Sequence, residues 1–285
     1  MGFGGKFKML QIITDSSTLY TVEEAKEKGF EAVPLCVSIG DVDGRDLQVD
    51  MNDFYKRISE GQIPKSSQPP IGDVLEIFEK YADDEIINIS MADGLSGTYQ
   101  SACGAREMVD HKDNITVINS RTLCGPHRYM VTMAQKMKEE GKTAQEIIDW
   151  VVQKSYETDS WLIPQDFGFL RRGGRMTPTA AAIGSVLKLK PVLCLTEDCK
   201  RLDKFAIKRT FSSTVKAILE SLKDKPFGND YIFYVVHARA FKDCDTTVEL
   251  IRQYFPEVTI ETYELSHAFI TQGGPACVAI QYIKK

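Results

Sequence analysis

Residues 86–102 read IINISMADGLSGTYQSA, and the order of residue types in them sets the architecture. An apolar run from Ile86 to Met91 breaks at Asp93-Gly94, and Ser96-Gly97-Thr98 then opens a helical pattern. A short apolar run bounded by turn residues fits a strand buried on both faces. A Ser at a helix start fits an N-cap. In an open α/β sheet that junction lies at the carboxyl edge of the strands, where small ligands bind. Unpaired N–H groups and the positive helix end suit a carboxylate or phosphate there. Ser96 acting only as a cap is the other reading of the same residues.

The arrangement recurs on either side. Residues 9–14 (MLQIIT) form a strand candidate, followed by Asp15-Ser16-Ser17 and a helical stretch to Lys28. Residues 33–40 and 47–49 flank Asp43-Gly44 as a hairpin, and Asp50 caps a helix through Ser59. Residues 61–70 (GQIPKSSQPP) hold three prolines and no periodicity, which predicts an irregular loop. Stiffened by Pro64, Pro69 and Pro70, that loop can offer the Ser66 and Ser67 hydroxyls to a ligand, or it is an ordinary surface connection. A helix over 72–82, a strand over 115–119 (ITVIN) and helices over 124–139 and 143–156 follow, with Pro126 tolerated in a first turn. The alternation predicts a parallel sheet covered on both faces, with Asp15, Ser96 and Ser120 along one edge.

Near Asp159 the pattern changes, which divides the chain into domains of residues 1–159 and 160–285. Residues 167–175 (FGFLRRGGR) set Arg171, Arg172 and Arg175 around a glycine pair. Glycines let backbone N–H groups turn inward as an anion nest, and Arg pairs bidentately with phosphate. Residues 177–188 read as a helix of small residues, including Ala180, Ala182 and Gly184. Residues 191–196 and 201–207 pair as antiparallel strands. A helix to Leu222, a strand over 231–236, a helix over 243–254 and a strand over 258–264 complete a second α/β unit with a mixed or antiparallel sheet. Residues 269–275 (FITQGGP) with 276–283 read as a final strand. Gln272 stands just before Gly273-Gly274, where backbone can approach a ligand closely.

A chain of 285 residues with 43% apolar content buries a core shared by two domains. The net charge of −5 argues against general nucleic-acid binding. Between Gln165 and Lys216, eleven Lys/Arg face four Asp/Glu, a local +7 that leaves −12 for the rest. That segment suits a phosphate or an acidic partner, or is a solvated basic face. The seven cysteines are scattered without a CxxC pair, so neither a metal site nor a disulfide framework is expected. There is no long apolar leader segment and no 18-residue apolar span, which predicts a cytoplasmic protein without an integral membrane segment. Met1-Gly2 resembles a myristoylation start, but Lys6 stands where Ser or Thr is wanted.

Taken together, TDSS at 14–17, SSQP at 66–69, GLSGT at 94–98, LRRGGR at 170–175, KLKPVL at 188–193 and the closing GGP at 273–275 resemble the DegV family of bacterial fatty-acid-binding proteins. The resemblance spans essentially the whole chain. It implies two α/β domains, the first Rossmann-like, with a long acyl chain between them, and no cofactor. It further implies that the protein presents its fatty acid to a separate ATP-dependent kinase subunit; no GxxxxGK[ST] loop occurs here, so the nucleotide site belongs to another chain.

The family's carboxylate-holding hydroxyls fall on Ser66 and Ser96, where Ser66 replaces a Thr. Ser67, Gly97, Thr98 and His127 are further ligand candidates, and Phe167, Phe169, Leu170 and Phe269 are expected to line the acyl chain because they flank the motif loops. A family arginine implicated in handling the acyl phosphate falls on Arg209, and Arg172 is a second candidate for that role or for partner docking. The family pattern HxGPG departs here: Gln272 holds the His position, able to donate a hydrogen bond but not to shuttle a proton. The competing reading is a serine esterase. Residues 94–98 fall one residue short of the GxSxG elbow, with Ser96 as nucleophile and His127 or His237 as base.

Overall fold

The computed structural model describes residues 8–183 and 189–285. The first half runs β1 (Leu10–Asp15), α1 (Val22–Glu27), β2 (Glu31–Val33), β3 (Cys36–Ile39), β4 (Val42–Arg45), α2 (Met51–Ser59), β5 (Lys65–Ser67), α3 (Ile71–Lys80), β6 (Glu85–Ser90), α4 (Thr98–Glu107), β7 (Ile115–Asn119), α5 (Cys124–Glu139) and α6 (Ala144–Lys154). Strands β2-β1-β6-β7 form an all-parallel sheet. Its central strands are buried on both faces, as their unbroken apolar runs require. Ile12, Ile87 and Ile89 enter one hydrophobic cluster, and Ile13 and Ile86 the opposite one.

The second half runs β8 (Thr158–Ile163), α7 (Phe167–Gly173), α8 (Pro178–Ala181), β9 (Lys190–Leu195), β10 (Leu202–Lys208), α9 (Phe211–Leu222), β11 (Tyr231–His237), α10 (Phe241–Tyr254), β12 (Thr259–Glu264), α11 (His267–Gly273) and β13 (Val278–Lys284). Its six strands are ordered β10-β9-β8-β13-β11-β12. Only β11 and β12 pair in parallel, so the sheet is mixed. The fold is thus α/β with two main sheets, one parallel and one mixed. The second sheet starts at Thr158, beside the division expected at 159.

Four local expectations change. Within residues 61–70, Lys65–Ser67 is a strand that pairs with β3 in a small third sheet, β4-β3-β5; long-range pairing supplies what three residues cannot signal. The hairpin joins β3 to β4 and turns at Gly40, ahead of Asp43-Gly44. Residues 167–173 form a helix closed by Gly174 at φ 70°, so the glycine pair ends a helix instead of making a nest. Residues 267–273 are helical, and the last strand begins only at Val278. The helix expected through Lys188 is seen over Pro178–Ala181. Gly184, Lys188 and the Met1-Gly2 start with Lys6 lie outside the described residues.

Helix α5 joins the halves. It packs on β1 of the first sheet and on β11 and β13 of the second, and the cluster around it takes Ile12 and Ile87 from one side and Tyr234 and Val236 from the other. Gly125 sits at the tightest point, where a Cβ would overlap the Tyr234 ring.

Candidate functional site

The strand-to-helix junction after β6 comes to rest against the second half of the chain. Gly97 occupies the N-cap of α4 without a side-chain cap bond. Ser96 Oγ, one residue earlier, accepts from the Thr98 backbone N–H at 3.3 Å and lies 2.7 Å from Thr98 Oγ1. Ser96 is therefore only a partial cap, and its hydroxyl also lines a pocket.

The same pocket collects Ser66 and Ser67 from β5, Gly97, Arg175 from the turn after α7, and Phe269 and Gln272 from α11. Gln272 Nε2 donates to Ser66 Oγ at 3.2 Å, a bond that spans 206 residues of sequence. The amide's other atom, Oε1, is buried without a partner among the described residues. Gly173 makes room for it, since a Cβ there would collide with Gln272 Oε1.

Helix α11 is held in place from the first half of the chain. Asp46, 1% exposed, accepts from Ser16 Oγ at 2.8 Å and from the Ala268 backbone N–H at 3.1 Å. The Leu47 N–H donates to His267 Nδ1 at 3.3 Å. A buried carboxylate with satisfied acceptors at a helix start is a stable strut, and it fixes where Gln272 points.

Among the described residues, Arg175 is the one charged side chain lining this pocket. Its Nε donates to Leu95 O at 3.1 Å and its Nη1 to Gly173 O, and no carboxylate pairs with it among the described residues. Behind the pocket lies an apolar cavity between the mixed sheet and the segments that follow β6 and β7. The two share Met91, Leu95, Arg175, Phe269 and Gln272, and the cavity continues past Leu123, Leu162, Leu170, Leu195 and Cys277. A polar, cationic mouth thus adjoins an apolar interior, an arrangement that suits an amphiphile with an acidic head.

The residues singled out from sequence divide on this geometry. Ser66, Ser67, Ser96, Gly97 and Gln272 line the mouth; Phe269 lines mouth and cavity, and Leu170 lines the cavity. Thr98 is buried and bonded to Ser96. Phe167 packs instead in the cluster of Met176 and Leu193, and Phe169 lies beneath the Arg172 guanidinium at 4.6 Å. Arg172 and Arg209 are exposed on the surface. Arg175 was only one of three arginines in its motif; which of them turns inward is decided by the helix end at Gly174, which composition does not reveal.

His127 is fully buried and does not line either space. Its Nε2 donates to Ile89 O at 3.0 Å and its Nδ1 accepts from Ser17 Oγ at 2.7 Å, a proton assignment that follows from the partners. Burial holds its pKa below the ordinary 6.5, against the pull of Asp15. No histidine lines the mouth among the described residues, and the side chain in hydrogen-bond contact with Ser96 Oγ is that of Thr98. Burial likewise pushes the cavity's Cys277 thiol up to about 12, which keeps it protonated and inert.

A family model described as "Uncharacterised protein, DegV family" matches residues 9–285. The chain belongs to the DegV family. This DegV-family chain is 30% identical over 286 residues to a DegV domain-containing protein of Listeria innocua, covering 96% of this chain and 98% of the relative. The crystal structure of DegV from Bacillus subtilis, described as a fatty acid binding protein, superposes with a TM-score of 0.83 at 27% identity, covering 98% of this chain and all of that one. A stearic-acid-binding protein of Eubacterium ventriosum shares the fold at 20% identity, with a TM-score of 0.85 over 97% of this chain and 99% of that one. In the described residues of this family member, no helix is long and apolar enough to cross a membrane.

Proposed function

We propose that the protein binds a long-chain fatty acid between lobes that divide close to residue 159, with the tail in the apolar cavity and the carboxylate at the mouth. One observation carries this reading: the polar mouth and the apolar cavity lie side by side and share Met91, Leu95, Arg175, Phe269 and Gln272 as lining. Ser66 and Ser96 donate their hydroxyls to the carboxylate, and Arg175 supplies the opposite charge. A carboxylate only accepts, so Ser66 directs its one proton to the ligand while its oxygen keeps the bond from Gln272 Nε2, whose second hydrogen is left for the ligand. Burying hydrocarbon at roughly 0.8 kcal/mol per CH₂ retains the ligand. The fatty acids bound by the Bacillus subtilis and Eubacterium ventriosum proteins support the same chemistry here.

The protein purified from bacteria is expected to release a fatty acid into organic solvent, identified by mass spectrometry. A lipid-free preparation that also refuses added oleate overturns the reading. The bound acid is then presented to a separate ATP-dependent kinase, with exposed Arg172 and Arg209 meeting that partner or the phosphate. Replacing both arginines with Ala lowers acyl phosphate formation by a cognate kinase while leaving oleate affinity unchanged. Equal turnover by the variant would remove Arg172 and Arg209 from that role, and no turnover by the wild type with any cognate kinase would separate binding from delivery.

A further inference from the structure

The cavity has a second polar group of residues in its lining, Ser160 and Gln281. Cys277, just ahead of β13, and Ala279 and Gln281 on β13 line the cavity, as do Leu162 and Ser160 of β8. The register sets Ala279 opposite Leu162 and Gln281 opposite Ser160. The alternate residue Ile280 belongs to the core on the other face of the sheet, and Trp161 belongs to that core while also reaching the cavity wall. These rungs lead away from Gln272 and Gly273, and at ~3.3 Å per residue Cys277 and Gln281 stand about 13 Å apart along the strand.

Gln281 is 1% exposed, and its amide is fully engaged. Nε2 donates to Leu123 O at 3.0 Å and to Ser160 Oγ at 2.9 Å, while Oε1 accepts from the Gly125 N–H at 3.2 Å. Gly125 is itself held against the Tyr234 ring, so the amide is fixed between β8, β13 and the first turn of α5. A hydrocarbon tail cannot push it aside without leaving the Gly125 N–H and the Leu123 carbonyl buried and unpaired, which is costly. The sequence gives no hint of this role, because Gln281 reads as one polar residue in an apolar final strand.

We infer that Gln281, braced by Ser160, is the stop at the methyl end of the acyl tunnel and sets the longest chain the protein accepts in full. This rests on the fatty-acid reading above. The test measures Kd for saturated fatty acids of increasing length on the wild type, Gln281→Ala and Ala279→Leu. Wild-type affinity rises about fourfold per methylene and stops rising once the tail meets Gln281. Gln281→Ala moves that plateau to longer acids, and Ala279→Leu, one rung nearer the mouth, moves it to shorter ones.

Gln281→Ala strips partners from two backbone groups, so a measurement on unaltered protein stands beside it. The ¹³C-labelled terminal methyl of the plateau-length acid shows an NMR cross-relaxation contact with the Gln281 side-chain amide protons. A plateau that a folded Gln281→Ala variant does not move, or a terminal methyl that contacts other residues and not Gln281, overturns the stop. Wild-type protein that binds no fatty acid of any length overturns the fatty-acid reading itself.

Discussion

Arg175 and His127 show how differently a motif residue can be used. Arg175 brings the mouth its positive charge, held by two backbone carbonyls and, among the described residues, no carboxylate. Charge-assisted hydrogen bonds contribute about 1.5–3 kcal/mol, so Arg175→Gln is expected to weaken oleate binding by about 10- to 100-fold. Methyl oleate, which lacks the charge, should be affected far less; equal losses for both ligands would assign Arg175 a packing role. Single Ser66→Ala and Ser96→Ala variants lose less, on the order of one neutral hydrogen bond, about 1 kcal/mol each. His127 is structural, neutral and buried. Below its ordinary pKa of 6.5 the unfolded chain binds a proton that the folded chain refuses. Stability therefore falls as pH drops, by up to about 1.4 kcal/mol per unit. The Tm of the wild type is expected to drop more steeply between pH 7.5 and 5.5 than that of His127→Gln. Parallel profiles would remove His127 as the source. Ser66 and Ser96 were legible because hydroxyls at a helix entrance and in a proline-braced segment are local signals. Arg175 was not, since its direction depends on a helix end.

The elements that sequence placed well are those whose signal lies within themselves. The apolar run of β6, with Ile86, Ile87 and Ile89 fully buried, needs no distant information. Strand β5 and helix α11 do. Three residues between prolines become a strand because β3 offers a partner edge, and HAFITQG turns helical where Asp46 receives the Ala268 N–H from 222 residues away. Their misreading matters, because β5 carries Ser66 and α11 carries Gln272. Helix α5 provides a test at this scale. Gly→Ala inside an exposed helix stabilises by up to about 1 kcal/mol, but at Gly125 the added methyl meets the Tyr234 ring. Gly125→Ala is therefore expected to destabilise by about 1–3 kcal/mol, read as a lower denaturant midpoint with an unchanged slope. A higher midpoint would mean that α5 does not approach β11 so closely.

As a whole molecule, the chain is two sheets sharing a core through α5, with a mouth assembled from both halves. Neither half holds the site alone: Ser66 and Ser96 come from the first, Arg175 and Gln272 from the second. A ligand gripped by both should hold them together, and at 100 times its Kd oleate is expected to add about 2.7 kcal/mol of stability, visible as a raised Tm in a single transition. The most direct test of the central claim is a crystal structure of the protein with oleate bound. The account predicts a carboxylate within about 3 Å of both Ser66 Oγ and Ser96 Oγ, with the tail running in the apolar cavity toward Gln281. A carboxylate remote from both serines, or an oleate bound outside that cavity, would contradict it.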